Sequence, residues 1–382
     1  MTAVAAPSPP ATRPRPVPWT KLVWVTWRQH RMALVGVTVL LGGLALYLLI
    51  MGLKIHSGYA SVTSCHPARS SACQLASNLF TNDYHPTAQT LTGFLLAVPV
   101  LIGVFVGAPL LARELETGTF RFAWTQGCGR LRWVITKLAL LAIVVTSASY
   151  MFSLLFSWYY QPWLAKGLDG VLAPQLFALR GVDFAAWTLL AFALGAIAGV
   201  LIGRTVAAMA ASLAAWAGLN FLTALFLRKH YQAPLVVKGA SPSNTNPPWV
   251  FGQWYTGPNG AVVSQHTVRN VAAHAPASVQ NSHNLNAVTA YLAQHHYTQW
   301  WVYHPESRYW HFQFIEGGWL LALSLILLAA TVWLVRRRGN GSGRAAAGRP
   351  GPGAAARSVL GGPGCHFRPP GRPGTRRAVA RT

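Results

Sequence analysis

Six stretches of the chain carry no charged residue: Ala33–Leu53, Leu91–Leu111, Leu138–Tyr160, Phe184–Gly203, Val206–Leu227 and Gly317–Val335. Each is close to the ~20 residues a helix needs to cross a bilayer core of ~30 Å. In lipid every backbone polar group must find its partner within the segment, so apolar runs of this length predict six transmembrane helices. The fold class is therefore all-α, a polytopic membrane protein with both termini on one side. The interval Gly203–Thr205 is so short that spans four and five must form an antiparallel hairpin. Span two carries Gly103 and Gly107, and span four carries Gly195, Gly199 and Gly203. This small-xxx-small spacing lets another helix approach closely, more simply within one protomer than at a dimer interface.

The polar intervals differ in character. Residues 1–17 are rich in Pro and Ala and are expected to be disordered. After them Trp19, Leu22, Val23 and Trp27 can share one helical face, which suits an N-terminal amphipathic helix in the headgroup layer; an extension of the first span is the other reading. The interval Lys54–Thr90 is polar and has no catalytic pattern. The largest interval, Arg228–Glu316, separates spans five and six. Its first part reads as irregular and Leu285–Trp301 as a candidate helix. Trp300, Trp301, Tyr303, Tyr309, Trp310, Phe312 and Phe314 then read as an interfacial aromatic belt, or, more sharply, as a substrate gate. Residues 18–335 form the six-helix domain. Arg336–Arg338 stop transfer, and 336–382 is a basic tail expected to be disordered.

Composition agrees with this pattern, since 52% hydrophobic and 10% charged residues is not a soluble balance. Lys and Arg set the orientation. With the N-terminus inside, inner segments hold 22 of the 31, so both termini are expected on the cytoplasmic side of the cell membrane. Eleven of the 24 net positive charges lie in the acid-free tail, so anionic lipid is the expected partner and nucleic acid is not. Cys65 and Cys73 share the first outer interval, where a disulfide can form, although two thiols remain the alternative; Cys128 and Cys365 are on the reducing side. Eleven of thirteen histidines fall in outer intervals without the carboxylates and spacing of a metal site, so no metal ligands are assigned.

One polar island stands out, Ala112–Lys137, ARELETGTFRFAWTQGCGRLRWVITK, between spans two and three. Thr117–Thr119 interrupt the preceding helix, and Phe120, Ala123 and Trp124 then fall on one face of a short amphipathic turn. On pattern alone it is either a plain inner loop or a docking surface. Glu114 and Glu116 are expected to lie outside the bilayer and to bury little within the bundle.

The words Arg113-Glu114-Leu115-Glu116-Thr117-Gly118-Thr119, then Trp124-Thr125-Gln126-Gly127, Arg130, Arg132-Trp133 and Lys137, resemble the cytoplasmic coupling segment of ABC-2 type transporter permeases in their actinobacterial form. Thr26–Arg31 is similar to the amphipathic elbow helix of the same permeases, and Tyr303–Glu316 to their entry into the last span. The resemblance implies a permease subunit of an ATP-driven exporter that pairs with another permease copy and docks a separate ATPase. The residues it marks for coupling are Arg113, Glu114, Glu116, Gly118, Phe120, Trp124 and Arg130. A non-transporting membrane sensor or immunity protein on the same scaffold is the alternative.

Catalytic signatures are missing from the sequence. There is no G-x-x-x-x-G-K-[ST], no H-E-x-x-H and no G-x-S-x-G, so no enzyme activity and no cofactor are expected on this chain. The acids nearest the spans, Glu114, Glu116, Asp183 and Glu316, are expected at helix ends, not within the bundle, so the work of transport is assigned to a partner.

Overall fold

The computed structural model describes residues 19–67, 70–118, 130–239, 242, 247–280 and 285–347. The expectations for residues 1–17 and for most of the basic tail lie outside them, as do Phe120, Trp124, Cys128 and Cys365. The chain is mostly helical, and among the described residues six helices are long and apolar enough to cross a membrane. Each covers one of the uncharged runs, with Gly203 as the cap of the fourth, and most continue past it, because polar residues extend a helix nearly as well as apolar ones do.

Helix α1 (Trp19–Thr63) runs unbroken from the amphipathic segment through span one. The segment is thus continuous with the span and not a separate element; no Gly or Pro between Trp19 and Val35 would break it. The first polar interval is also helical over most of its length. Ser61 and Thr63 turn their hydroxyls onto carbonyls one turn back, and α2 (Ser71–Leu95) starts where Ser70 caps the Cys73 amide at 3.2 Å. Cys65 and Cys73 are joined by a disulfide across this short connection, with Cα atoms 5.8 Å apart.

Span two continues through α3 (Val98–Ile102), a wider π-helical turn at Gly103–Gly107, and α4 (Ala108–Thr117). Span three is α5 (Arg130–Ala165), followed by the short α6 (Pro174–Leu179). The hairpin consists of α7 (Asp183–Ile202) and α8 (Thr205–Leu222), turning at Gly203 with φ 67°. α8 ends in a π-turn (Thr223–Leu227) and a 3-10 turn (Arg228–His230).

α7 is the axis of the bundle, buried along most of its length, whereas α1, α8 and the last span bury little. The two glycine ladders explain how α7 sits so deep. A Cβ on Gly195 would collide with the Gly103 carbonyl, and one on Gly107 would stand 2.6 Å from the Phe192 carbonyl. The ladders therefore face each other inside one protomer, backbone against backbone.

The interval between spans five and six is folded, and it departs from all-α. Strands β1 (Leu235–Lys238), β2 (Trp249–Thr256), β3 (Val262–Val263) and β4 (Thr298–His304) form an antiparallel sheet in the order β1-β4-β2-β3. Between β3 and β4 come α9 (Gln265–Ala273), α10 (Ala277–Gln280) and α11 (Leu285–Gln294). The candidate helix Leu285–Trp301 is thus right for its first half. His296 at φ 61° stops it, and aromatic and β-branched residues favour strand beyond.

Trp300, Trp301 and Tyr303 lie in β4, where Trp300 stacks on Trp254 across the strands at 6.1 Å. They belong to this cap and not to an interfacial belt. Trp310 and Phe314 are exposed on the first turns of α12 (Tyr309–Ala347), the last span.

Candidate functional site

Charged groups gather at both ends of the bundle. At the end away from the cap, α4 delivers Arg113, Glu114 and Glu116 before Gly118 (φ 69°) closes the helix. Arg113 is exposed. Glu114 reaches across to α5 and pairs with the Lys137 ammonium, whose side chain is fully buried and also lies 4.0 Å over the Trp133 ring. Glu116 accepts both the backbone N–H and the hydroxyl of Thr205, at 3.1 and 2.7 Å. A carboxylate at the first turn of α8 satisfies donors that the helix leaves unpaired.

The expectation that the two acids bury little holds for Glu116, which is exposed, and is corrected for Glu114, which is largely buried against Lys137. Glu114 clamps α4 to α5, and Glu116 clamps α4 to the start of α8. Arg130 opens α5, on the far side of residues 119–129. The structure thus brings Arg113, Glu114, Glu116 and Gly118 together at the root of the island. Lys137, which the sequence reading left out of the site, is the residue that holds this root in place. Its signal was its position: a lysine one residue before an uncharged span needs a partner.

At the cap end three charged residues from distant parts of the chain meet. Arg228 forks onto Glu316, Nε to Oε2 at 2.9 Å and Nη2 to Oε1 at 2.6 Å, and donates through Nη1 to the Pro174 carbonyl at 3.1 Å. Its Cζ lies 4.6 Å over the Phe177 ring. Trp187 donates its indole N–H to Glu316 Oε1 at 3.1 Å. Asp183 stands 3.8 Å from Arg228. Asp183 and Glu316 are wholly buried and Arg228 is 2% exposed.

Gln313 fastens the same corner. Its Oε1 accepts the Val182 and Asp183 amides, and its Nε2 donates to the Phe177 and Arg180 carbonyls. The expectation that these acids merely sit at helix ends is therefore corrected. Asp183 and Arg228 do end their helices, but Glu316 lies inside α12, and all three are sealed within the bundle. Each is the charge flanking an uncharged run, and for that reason each read as a span boundary.

Beside this corner a cavity of about 1000 Å³ opens between α5, α7 and α12. Leu138, Ala142, Ala186, Gly317, Leu321 and Leu325 are among the residues lining it, and Val182 and Gln313 stand at its cap end. Nothing in its walls is charged.

The sequence profile of the ABC-2 membrane transporter related family matches residues 38–228, half of the chain. The chain belongs to this family. The matched region begins within α1 and ends at Arg228, so it takes in five of the six spans, the island and the start of the cap-end cluster. Neither the curated proteins nor the solved structures yield a match. With the six apolar helices, family membership makes the protein a multi-pass membrane permease of the ABC-2 class.

Proposed function

We propose that this ABC-2 permease is the membrane subunit of an ATP-driven exporter, forming the path as a pair of protomers in the cell membrane and driven by a separate ATPase docked on residues 112–137. The observation that supports it best is the double clamp at the root of the island. Glu114 bonded to Lys137 and Glu116 bonded to Thr205 tie α4 to both α5 and α8. A push on the segment between α4 and α5 would then move three spans at once instead of bending a loose loop.

In this reading the residues divide by task. Phe120 and Trp124, outside the described residues, supply the apolar face that meets the ATPase, with Arg113 and Arg130 beside it. Glu114 and Glu116 transmit, and Gly118 provides the left-handed turn that leaves α4. The apolar cavity suits an amphiphilic cargo, since an uncharged wall offers a hydrophobic tail a place without cost.

The test is co-purification with the ABC ATPase with which the chain is expressed. Trp124→Ala should weaken docking by about 2 kcal/mol, typical of an aromatic anchor, with insertion and thermal stability unchanged. The chain alone should not hydrolyse ATP. Undiminished co-purification and transport from a Phe120→Ala, Trp124→Ala double variant would return the island to a plain inner loop and favour the non-transporting alternative.

A further inference from the structure

The cap-end cluster contains a donor deficit. Glu316 is well supplied: Arg228 donates to both oxygens and Trp187 adds a second bond to Oε1, which leaves one acceptor position open on Oε2. Asp183 is different. Neither of its carboxyl oxygens receives a hydrogen bond, and both are out of contact with solvent. The nearest guanidinium nitrogen is 3.8 Å away, beyond hydrogen-bond reach. Gln313 is spent on backbone groups, and Trp187, though close, directs its N–H to Glu316.

The charges give the same count. Two carboxylates and one guanidinium, none more than 2% exposed, leave one negative charge over if all are ionised. An ionised carboxylate in a dry interior with no donor costs several kcal/mol, and removing its charge is the ordinary resolution. The other titratable groups around the corner do not supply the missing charge. Arg180, whose Nε and Nη1 find no hydrogen-bond partner, lies against the Tyr309 ring and makes no ion pair with either acid, the Tyr231 hydroxyl accepts the Trp319 N–H, and the facing residues of α5 are uncharged, Ser153 among them, bonded to the Gly181 carbonyl. A metal ion fits poorly, because Arg228 occupies the cation position and no set of three or more His, Cys, Asp or Glu side chains stands together among the described residues.

We propose that Asp183 binds a proton and donates it as a hydrogen bond to the Glu316 carboxylate, making Asp183, Glu316 and Arg228 a neutral proton-binding latch at the cap end of the bundle. The two acids face the same guanidinium nitrogen, Arg228 Nη2, Glu316 Oε1 at 2.6 Å and Asp183 Oδ2 at 3.8 Å. The proton completes the set: one guanidinium, one carboxylate and one carboxylic acid, every oxygen of Glu316 bonded and Asp183 a donor.

The latch fastens the first turn of α7, the end of α8, α6 through Pro174, and α12. Val182 and Gly317, each adjacent in sequence to one of the acids, line the large cavity. Loss of the proton would place two like charges against each other at the cavity's cap end and loosen that closure. The inference rests on the cluster alone and stands whether or not the island docks an ATPase.

Infrared spectroscopy of the purified full-length protein tests it. At neutral pH the wild type should show the C=O stretch of a buried protonated carboxyl, shifted in heavy water. The band should persist in Asp83→Asn, an exposed control, and vanish in Asp183→Asn. Asp183→Asn, an uncharged isostere of the protonated acid, should keep the wild-type unfolding temperature, whereas Glu316→Gln should lower it by several degrees, since Arg228 loses its counter-charge. Absence of the band from the wild type, its persistence in Asp183→Asn, or equal losses of unfolding temperature in the two variants would each overturn the proposal.

Discussion

At the scale of single residues, burial decides what each charge does. Lys137 is fully enclosed, so its ammonium depends on Glu114 for a counter-charge, and Trp133 adds its ring face. Breaking a buried pair from one side leaves the other charge unpaired and costs about 3 kcal/mol, while replacing both partners with apolar residues of similar size is close to neutral. Glu114→Gln and Lys137→Met should therefore each lower the unfolding temperature in detergent, and the Glu114→Leu, Lys137→Met double variant should recover most of it. A double variant worse than either single would mean that the two side chains do not act as a pair. Such distinctions were not legible in the sequence. Glu114 and Arg113 are neighbours in one polar word, yet one faces α5 and the other is exposed, and only the packing of α4 separates them.

At the scale of elements, the uncharged runs were the clear signal, because the bilayer imposes a length and forbids charge over it. The cap was harder. Its strands are short, its first half is rich in Asn, Ser and Pro, and its aromatics suit an interface as well as a sheet. What holds the cap to the spans is also a matter of position. His304, at the end of β4, is fully buried between Trp249, Phe251 and Phe312; its Nε2–H donates to the Lys229 carbonyl at 3.1 Å, and its Nδ1 accepts from Arg308 at 2.9 Å. Burial pushes its titration below the usual imidazole value, and the Arg308 charge adds to this while the carbonyl bond opposes it.

The sign follows from linkage. With a folded value below the unfolded value of about 6.5, the unfolded chain binds the proton first on acidification. The stabilisation from neutral His304 is complete above pH ~6.5 and is lost as the pH falls from there through the depressed folded value. Opening of β4 and β2, read as the amide hydrogen-exchange rate divided by its intrinsic value at each pH, should therefore rise on acidification below pH ~6.5. In His304→Gln, which keeps the size without the titration, that rise should be absent. An identical pH response in the variant would remove His304 from the account.

At the scale of the whole molecule, the six spans, the tight hairpin at Gly203 and the permease class were all legible, since they depend on pattern and on motif words. The cap-end cluster was not, because Asp183, Arg228 and Glu316 come from three spans that the sequence spaces up to 133 residues apart. Orientation connects the two ends, and it rests on charge. The island and the N-terminal segment carry the arginines and lysines expected inside, and so the cap and the α1–α2 connection should face outward. Single cysteines can test this in a chain whose four native cysteines are replaced. Ser57, exposed near the end of α1, and Asn259, exposed in the turn before β3, should react with a membrane-impermeant thiol reagent in whole cells. A cysteine at Ser342 should react only after the cells are opened. The island and the cap lie at opposite ends of the bundle, so the outward and inward sets cannot mix: if Ser342 is labelled in intact cells and Ser57 is not, the protein is inverted, the island faces outward, and a cytoplasmic ATPase cannot be its partner.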